Sequence, residues 1–255
     1  LGHYLERHQL EQLRDAKDKA VMAQIMGFIP GIAGAVGKIG IMASMYAFSR
    51  EHETRADRMG MRLMKDAGYE GRQAALVWDN LLAELKITGG DNVGERSALF
   101  ATHPPVANRR NELLQLAGDS GGSTGATGYQ RTIAPLRLGW LHDEIKRGQY
   151  EESLVLFDRM LGRDAVDAQV LFARGEVYRL RAEREDLAKS VDDLVKATSA
   201  SPEKAPVEAY RSLGLAYKQR ADTPAAIAAF EKYLSLSPDA PDGGMVKAYL
   251  SEMKP

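Results

Sequence analysis

The 255-residue chain contains no cysteine, which excludes disulfide cross-links, thiolate metal sites and a thiol nucleophile. Any metal must be held by His, Asp or Glu. Net charge is nearly absent too: 34 Lys plus Arg face 35 Asp plus Glu, so no overall field draws the chain to nucleic acid or an anionic bilayer. No nucleic-acid partner is expected. Aromatic residues are scarce, at 7%, which suits a helical protein built on Ala, Leu and Met. The start also lacks a signal-peptide pattern, because Leu1-Gly2-His3 shows neither Met nor a basic start before an apolar run. The expectation is that residues precede it.

What is present reads as helix nearly throughout. From Tyr4 to about Met22, Leu5, Leu10, Leu13 and Ala20 recur among charges with helical spacing. From Ala20 to Phe48 the only charge is Lys38, and Gly27, Gly31, Gly34, Gly37 and Gly40 recur around Pro30. A membrane span is one reading of this segment, since small residues allow close helix packing. Pro30 and the shortage of large aliphatics favour a pair of short helices or a mobile apolar flap, with possible peripheral membrane contact through 20–48.

Ser49 can cap a helix from about Arg50 to Ala67, and Gly68 can supply its left-handed stop. A second helix, from about Arg72 to Lys86, is expected to bury Leu76, Trp78, Leu82 and Leu85 to differing degrees. Thr88 to Thr102 reads as loop, and His103-Pro104-Pro105 opens a helix running through Leu113 and Leu116. Residues 118–128, GDSGGSTGATG, have the composition of a flexible linker. They divide the chain into domains at 1–117 and 129–255.

Beyond that segment the sequence repeats. Tyr210, Leu213, Gly214, Tyr217, Ala226, Phe230 and Pro238 match tetratricopeptide spacing at nearly every signature position. A middle unit fits through Gly175, Tyr178, Leu194, Ala197 and Pro202, with a short insertion around Arg181 to Asp186; an earlier one fits through Gly148, Tyr150, Ser153 and Phe157. Units of about 134–167, 168–204 and 207–240 make an α-solenoid, in which stacked helix pairs share one core.

Five histidines are present: His3, His8, His52, His103 and His142. Taken singly, each suits a surface or capping role, and Glu53 with Asp57 would pass for an ordinary solvated helix face among Arg50, Glu51, Arg55 and Arg58. Read in order, Leu1-Gly2-His3 with Arg7-His8, Ser49 to Arg58 (SREHETRADR), Ala67-Gly68-Tyr69, and Thr102-His103-Pro104-Pro105 with Arg109 become specific. Together they resemble the zinc metallopeptidase family that includes HtpX and the CAAX prenyl protease (gluzincin type). Within it they are most similar to the periplasmic BepA-type branch, which joins such a domain to tetratricopeptide repeats.

The resemblance implies an all-α chain: a zincin-like metallopeptidase domain truncated within its His-Glu-x-x-His motif, followed by the tetratricopeptide α-solenoid. It makes His3 the second zinc ligand and Glu53, in a Glu-x-x-Ala-Asp segment, the third; the first His and the general-base Glu would lie upstream of Leu1. Two His one turn apart face the same side of a helix and can grip one ion. Asp57 becomes a carboxylate that orients a ligand, with Arg109 as its expected ion-pair partner. For His103, metal or oxyanion contact and a plain helix-start role stay open. His8 reads as structural and His52 as exposed, because neighbouring helical positions diverge by about 100°.

The implied activity is that of a zinc metalloendopeptidase in bacterial periplasmic or outer-membrane quality control, with association to the membrane as one option. Its substrates would be unfolded or misassembled proteins, and its repeats would meet an outer-membrane assembly complex. Without the first His and the base, the present residues are expected to be inactive. The alternative is a non-catalytic tetratricopeptide scaffold or chaperone module.

Overall fold

A computed structural model describes residues 51–90, 106–119, 121–200 and 202–254. Among them every regular element is a helix, apart from one isolated parallel bridge between Tyr69 and Ser123. The chain divides into two compact units, Leu1–Gly128 and Tyr129–Pro255. His3, His8, His103 and the 20–48 segment lie outside the described residues. No described helix is long and apolar enough to cross a membrane.

The first unit contains α1 (51–66), α2 (Arg72–Gly89) and α3 (Val106–Ala117). Buried positions on α1 are His52, Glu53, Ala56 and Met61, while Glu51, Arg58, Arg62, Lys65 and Asp66 are exposed. At about 100° per residue, the buried set spans about half the helix circumference. That width explains His52, which is 1% exposed rather than solvent-facing as expected: it sits at one edge of the arc and Met61 at the other. Met61, Ala75, Leu113 and Ala117 form the small core where the three helices meet.

On α2 the packed positions run through Ala75 and Trp78. Leu76, expected inside, is 42% exposed because it lies one step of about 100° off that ridge. α2 also continues beyond Lys86 to Gly89, and Gly90 ends it with φ 71°. Helix α1 stops in a Schellman motif, with Gly68 N–H donating to Lys65 O at 2.9 Å and Tyr69 N–H to Met64 O at 2.9 Å. Gly68 has φ 76°, the left-handed conformation that ends such a helix at little cost.

The stretch read as a flexible linker has a different structure. Ser123 N–H donates to Gly68 O at 2.9 Å and Glu70 N–H donates to Ser123 O at 3.0 Å, clasping the segment to the turn after α1. A Cβ on Gly122 would stand 2.6 Å from the Tyr69 carbonyl carbon, so glycine here permits close backbone approach. Composition alone cannot tell that use of glycine from flexibility. Helix begins again at Ala126.

The second unit carries α4 (Ala126–Arg147), α5 (Tyr150–Leu161), α6 (Ala168–Arg181), α7 (Asp186–Ser199), α8 (Val207–Gln219), α9 (Thr223–Leu236) and α10 (Gly243–Met253). From α5 to α10 each helix packs on a sequence neighbour, as short connections between helices require. Phe157, Leu171, Phe172, Val177 and Leu194 centre one apolar cluster; Ala226, Phe230, Tyr233, Val246 and Leu250 form another. Gly214 lets α8 approach α9, since a Cβ there would be 2.5 Å from the Phe230 ring. Asp167 caps α6 by accepting from Gln169 N–H and Val170 N–H, and it also pairs with Arg137 of α4.

Two arginines two turns apart on α6 tie three helices together. Arg174 binds Asp193 of α7 and Asp158 of α5; Arg181 binds Asp186 of α7 and Glu151 of α5, all within 2.6–2.8 Å. The Arg181 guanidinium holds the Asp186 carboxyl below its ordinary value of 3.8, against the opposing effect of burial. At the other end, burial and a hydrogen bond donated to Asp242 push the Tyr233 hydroxyl up to about 12.

The signs of the pH dependence follow. A depressed carboxylate stabilises the fold fully above its unfolded pKa and loses that contribution as pH falls through the folded one. A raised phenol stabilises below its unfolded pKa and loses its contribution as pH climbs. Urea unfolding followed by far-UV circular dichroism should show stability flat near neutrality, falling below about pH 4 and again between about pH 10 and 12. In Asp186→Asn the acid slope should be shallower; an unchanged slope would assign acid sensitivity elsewhere.

Candidate active site

The site is assembled where α1, α2 and α3 face one another. Glu53 and Asp57 lie four residues apart on α1, so both carboxylates project from the same side of the helix. Arg109 comes from the first turns of α3. Its Nε and Nη2 donate to Asp57 Oδ2 and Oδ1 at 2.8 and 2.7 Å, a two-point fork that fixes the plane of the guanidinium. The remaining nitrogen, Nη1, lies 2.8 Å from Glu53 Oε2. All three side chains are largely shielded, at 11% exposure for Arg109, 10% for Glu53 and 15% for Asp57.

Trp78 of α2 completes the arrangement, its ring centroid 4.2 Å from the guanidinium carbon of Arg109. A face covered by an aromatic ring and edges filled by two carboxylates leave this arginine little rotational freedom. Around the site, Arg58 pairs with Glu112 at 2.8 Å and Arg110 with Asp79 at 2.9 Å. These more exposed bridges also link α1 and α2 to α3 and add little energy.

Of the residues singled out from sequence, the structure brings together Glu53, Asp57 and Arg109. His3 and His103 lie outside the described residues. His52 is buried beside Glu53 in sequence but on a different sector of α1. Trp78 was marked only as core, and nothing in the sequence marks its contact with Arg109. A ring-on-cation contact between separate helices has no fixed spacing.

The chemistry of the trio suits a cation. Two carboxylates and one guanidinium sum to a formal charge of −1 in a shielded site, and Glu53 offers the oxygen donors zinc accepts. Among the described residues no three His, Asp or Glu side chains are grouped to hold a metal, so Glu53 fits as one ligand of a set that draws on other residues. Asp57, doubly bonded to Arg109, fits a supporting role instead.

Comparison with curated proteins finds no match, and comparison with solved structures finds none. Residues 1–117, which contain Glu53, Asp57, Trp78 and Arg109, match the model of Peptidase family M48, so this part of the chain is similar to that peptidase family.

Proposed function

We propose that the protein is a zinc metalloendopeptidase whose site joins His3 and Glu53 as metal ligands, with Asp57 and Arg109 holding Glu53 in place and His103 serving as a metal or oxyanion contact. One observation carries this reading: Arg109 binds both acidic residues of the Glu-x-x-Ala-Asp segment at once, in a shielded site. Zinc bound there supplies Lewis acidity toward a peptide carbonyl. Arg109 fixes the rotamers of both carboxylates, so Glu53 meets a ligand without first losing side-chain freedom. Charge on Asp57 offsets that on Arg109, so the arginine orients Glu53 without cancelling its charge.

Helices α4 to α10 act in this proposal as tetratricopeptide repeats that bind unfolded or misassembled substrate proteins or an outer-membrane assembly complex. The periplasm is the proposed location. Support for these points comes from the signature spacing around Gly214 and from the likeness to the BepA-type branch.

The test expresses the protein from its complete gene and measures bound zinc by elemental analysis and casein cleavage, with and without Glu53→Gln. About one zinc per chain and cleavage are expected, with zinc affinity falling at least tenfold and cleavage falling by orders of magnitude in the variant. A protein that holds no zinc and cuts nothing is instead the non-catalytic scaffold.

A further inference from the structure

We propose that Trp78 is a positioning residue for the Glu53 carboxylate, acting through Arg109. The inference rests on the reading of Glu53 as a metal ligand. Arg109 has three nitrogens engaged in one plane: Nε and Nη2 on Asp57, and Nη1 on Glu53. Those contacts fix the edges of the guanidinium. Its face is fixed by Trp78, whose ring centroid lies 4.2 Å from the central carbon.

Without that ring, the guanidinium could tilt about its Asp57 fork, and the contact most displaced by such a tilt is the outlying one to Glu53. Trp78 is also half-buried against the Met61, Ala75, Leu113 and Ala117 core, which anchors its own position. The nearby Arg110–Asp79 bridge is more exposed and adds little to this arrangement. Substrate contact is not required for any of this, so Trp78 should influence metal affinity through geometry alone.

The experiment titrates zinc into the protein expressed from its complete gene, in competition with a chromophoric chelator. Trp78→Met keeps an apolar side chain against the core but removes the aromatic face; Trp78→Phe keeps a smaller face. Trp78→Met should weaken zinc binding about tenfold and Trp78→Phe by about threefold or less. In an Arg109→Gln background, Trp78→Met should add nothing, because its effect passes through the arginine. Asp79→Asn, which loosens the same helix pair at the surface, should leave affinity unchanged.

A separate optical readout uses Trp140→Phe, which leaves Trp78 as the only tryptophan among these 255 residues. Zinc should then shift its fluorescence through the charge it adds beside the Arg109–Trp78 contact. Equal losses in the Met and Phe variants, losses that add to those of Arg109→Gln, or no loss in either would overturn the proposal. If Glu53→Gln leaves zinc affinity unchanged, the ligand reading itself fails and the proposal falls with it. If Glu53→Gln weakens binding and Trp78→Met does not, the positioning role alone is wrong.

Discussion

Arg109→Leu is expected to destabilise the first unit by about 3–5 kcal/mol, the range for stripping one partner from a shielded ion-pair network. The substitution takes away the guanidinium that bridges Glu53 and Asp57 and leaves two like charges one helical turn apart. Leucine can still pack beneath Trp78, so the loss is electrostatic more than volumetric. Arg109→Lys keeps the charge but cannot reproduce the fork on Asp57 while reaching Glu53, and should fall between parent and leucine variant.

Thermal or urea unfolding measures this directly, and zinc affinity should fall about 10–100-fold in parallel. A leucine variant within about 0.5 kcal/mol of the parent would show that the trio is effectively solvated. Returning the site to its parent formal charge of −1 with Asp57→Asn in the leucine background should recover part of the stability, because one shielded carboxylate repels less than two. It should recover no zinc affinity, since the constraint on Glu53 is still missing.

Phe230→Ala is expected to cost the second unit about 3–5 kcal/mol. The ring is fully buried between α8, α9 and α10 and touches the space over Gly214. For a domain whose whole stability is on the order of 5–15 kcal/mol, that is a large share. Phe230→Leu should cost less because it leaves a smaller void. Gly214→Ala should cost about 1–3 kcal/mol through overpacking, its new Cβ falling on the ring. Combining Gly214→Ala with Phe230→Leu should then cost less than the two losses added, since the methyl enters space the ring has left. Strict additivity, read by far-UV circular dichroism in urea, would place the two residues in separate environments.

Much of this was legible in the sequence because it depends on periodicity. The helical run of α1, its stop at Gly68 and the small and large signature positions Gly214 and Phe230 follow from local rules of spacing and size. The pairing of Glu53 and Asp57 was legible for the same reason, since four residues is one helical turn. What stayed hidden depends on contacts between segments far apart in the chain. His52 is buried because α1 is covered over a wider arc than one apolar stripe implies. Leu76 is exposed because its helix packs along a narrower one. Trp78 meets Arg109 only after three helices have come together, and Gly122 is fixed by a turn more than fifty residues earlier.

The clasp of Ser123 on the turn after α1 bears on how this chain can be cut or spliced. A glycine-rich stretch is usually the first place chosen for a tag, a protease site or a circular-permutation junction, because such sites tolerate foreign residues when their backbone is unbonded. Here an insertion at Gly122 would displace two main-chain hydrogen bonds and force a side chain into the Tyr69 carbonyl. A junction intended to be silent should therefore avoid the stretch richest in glycine.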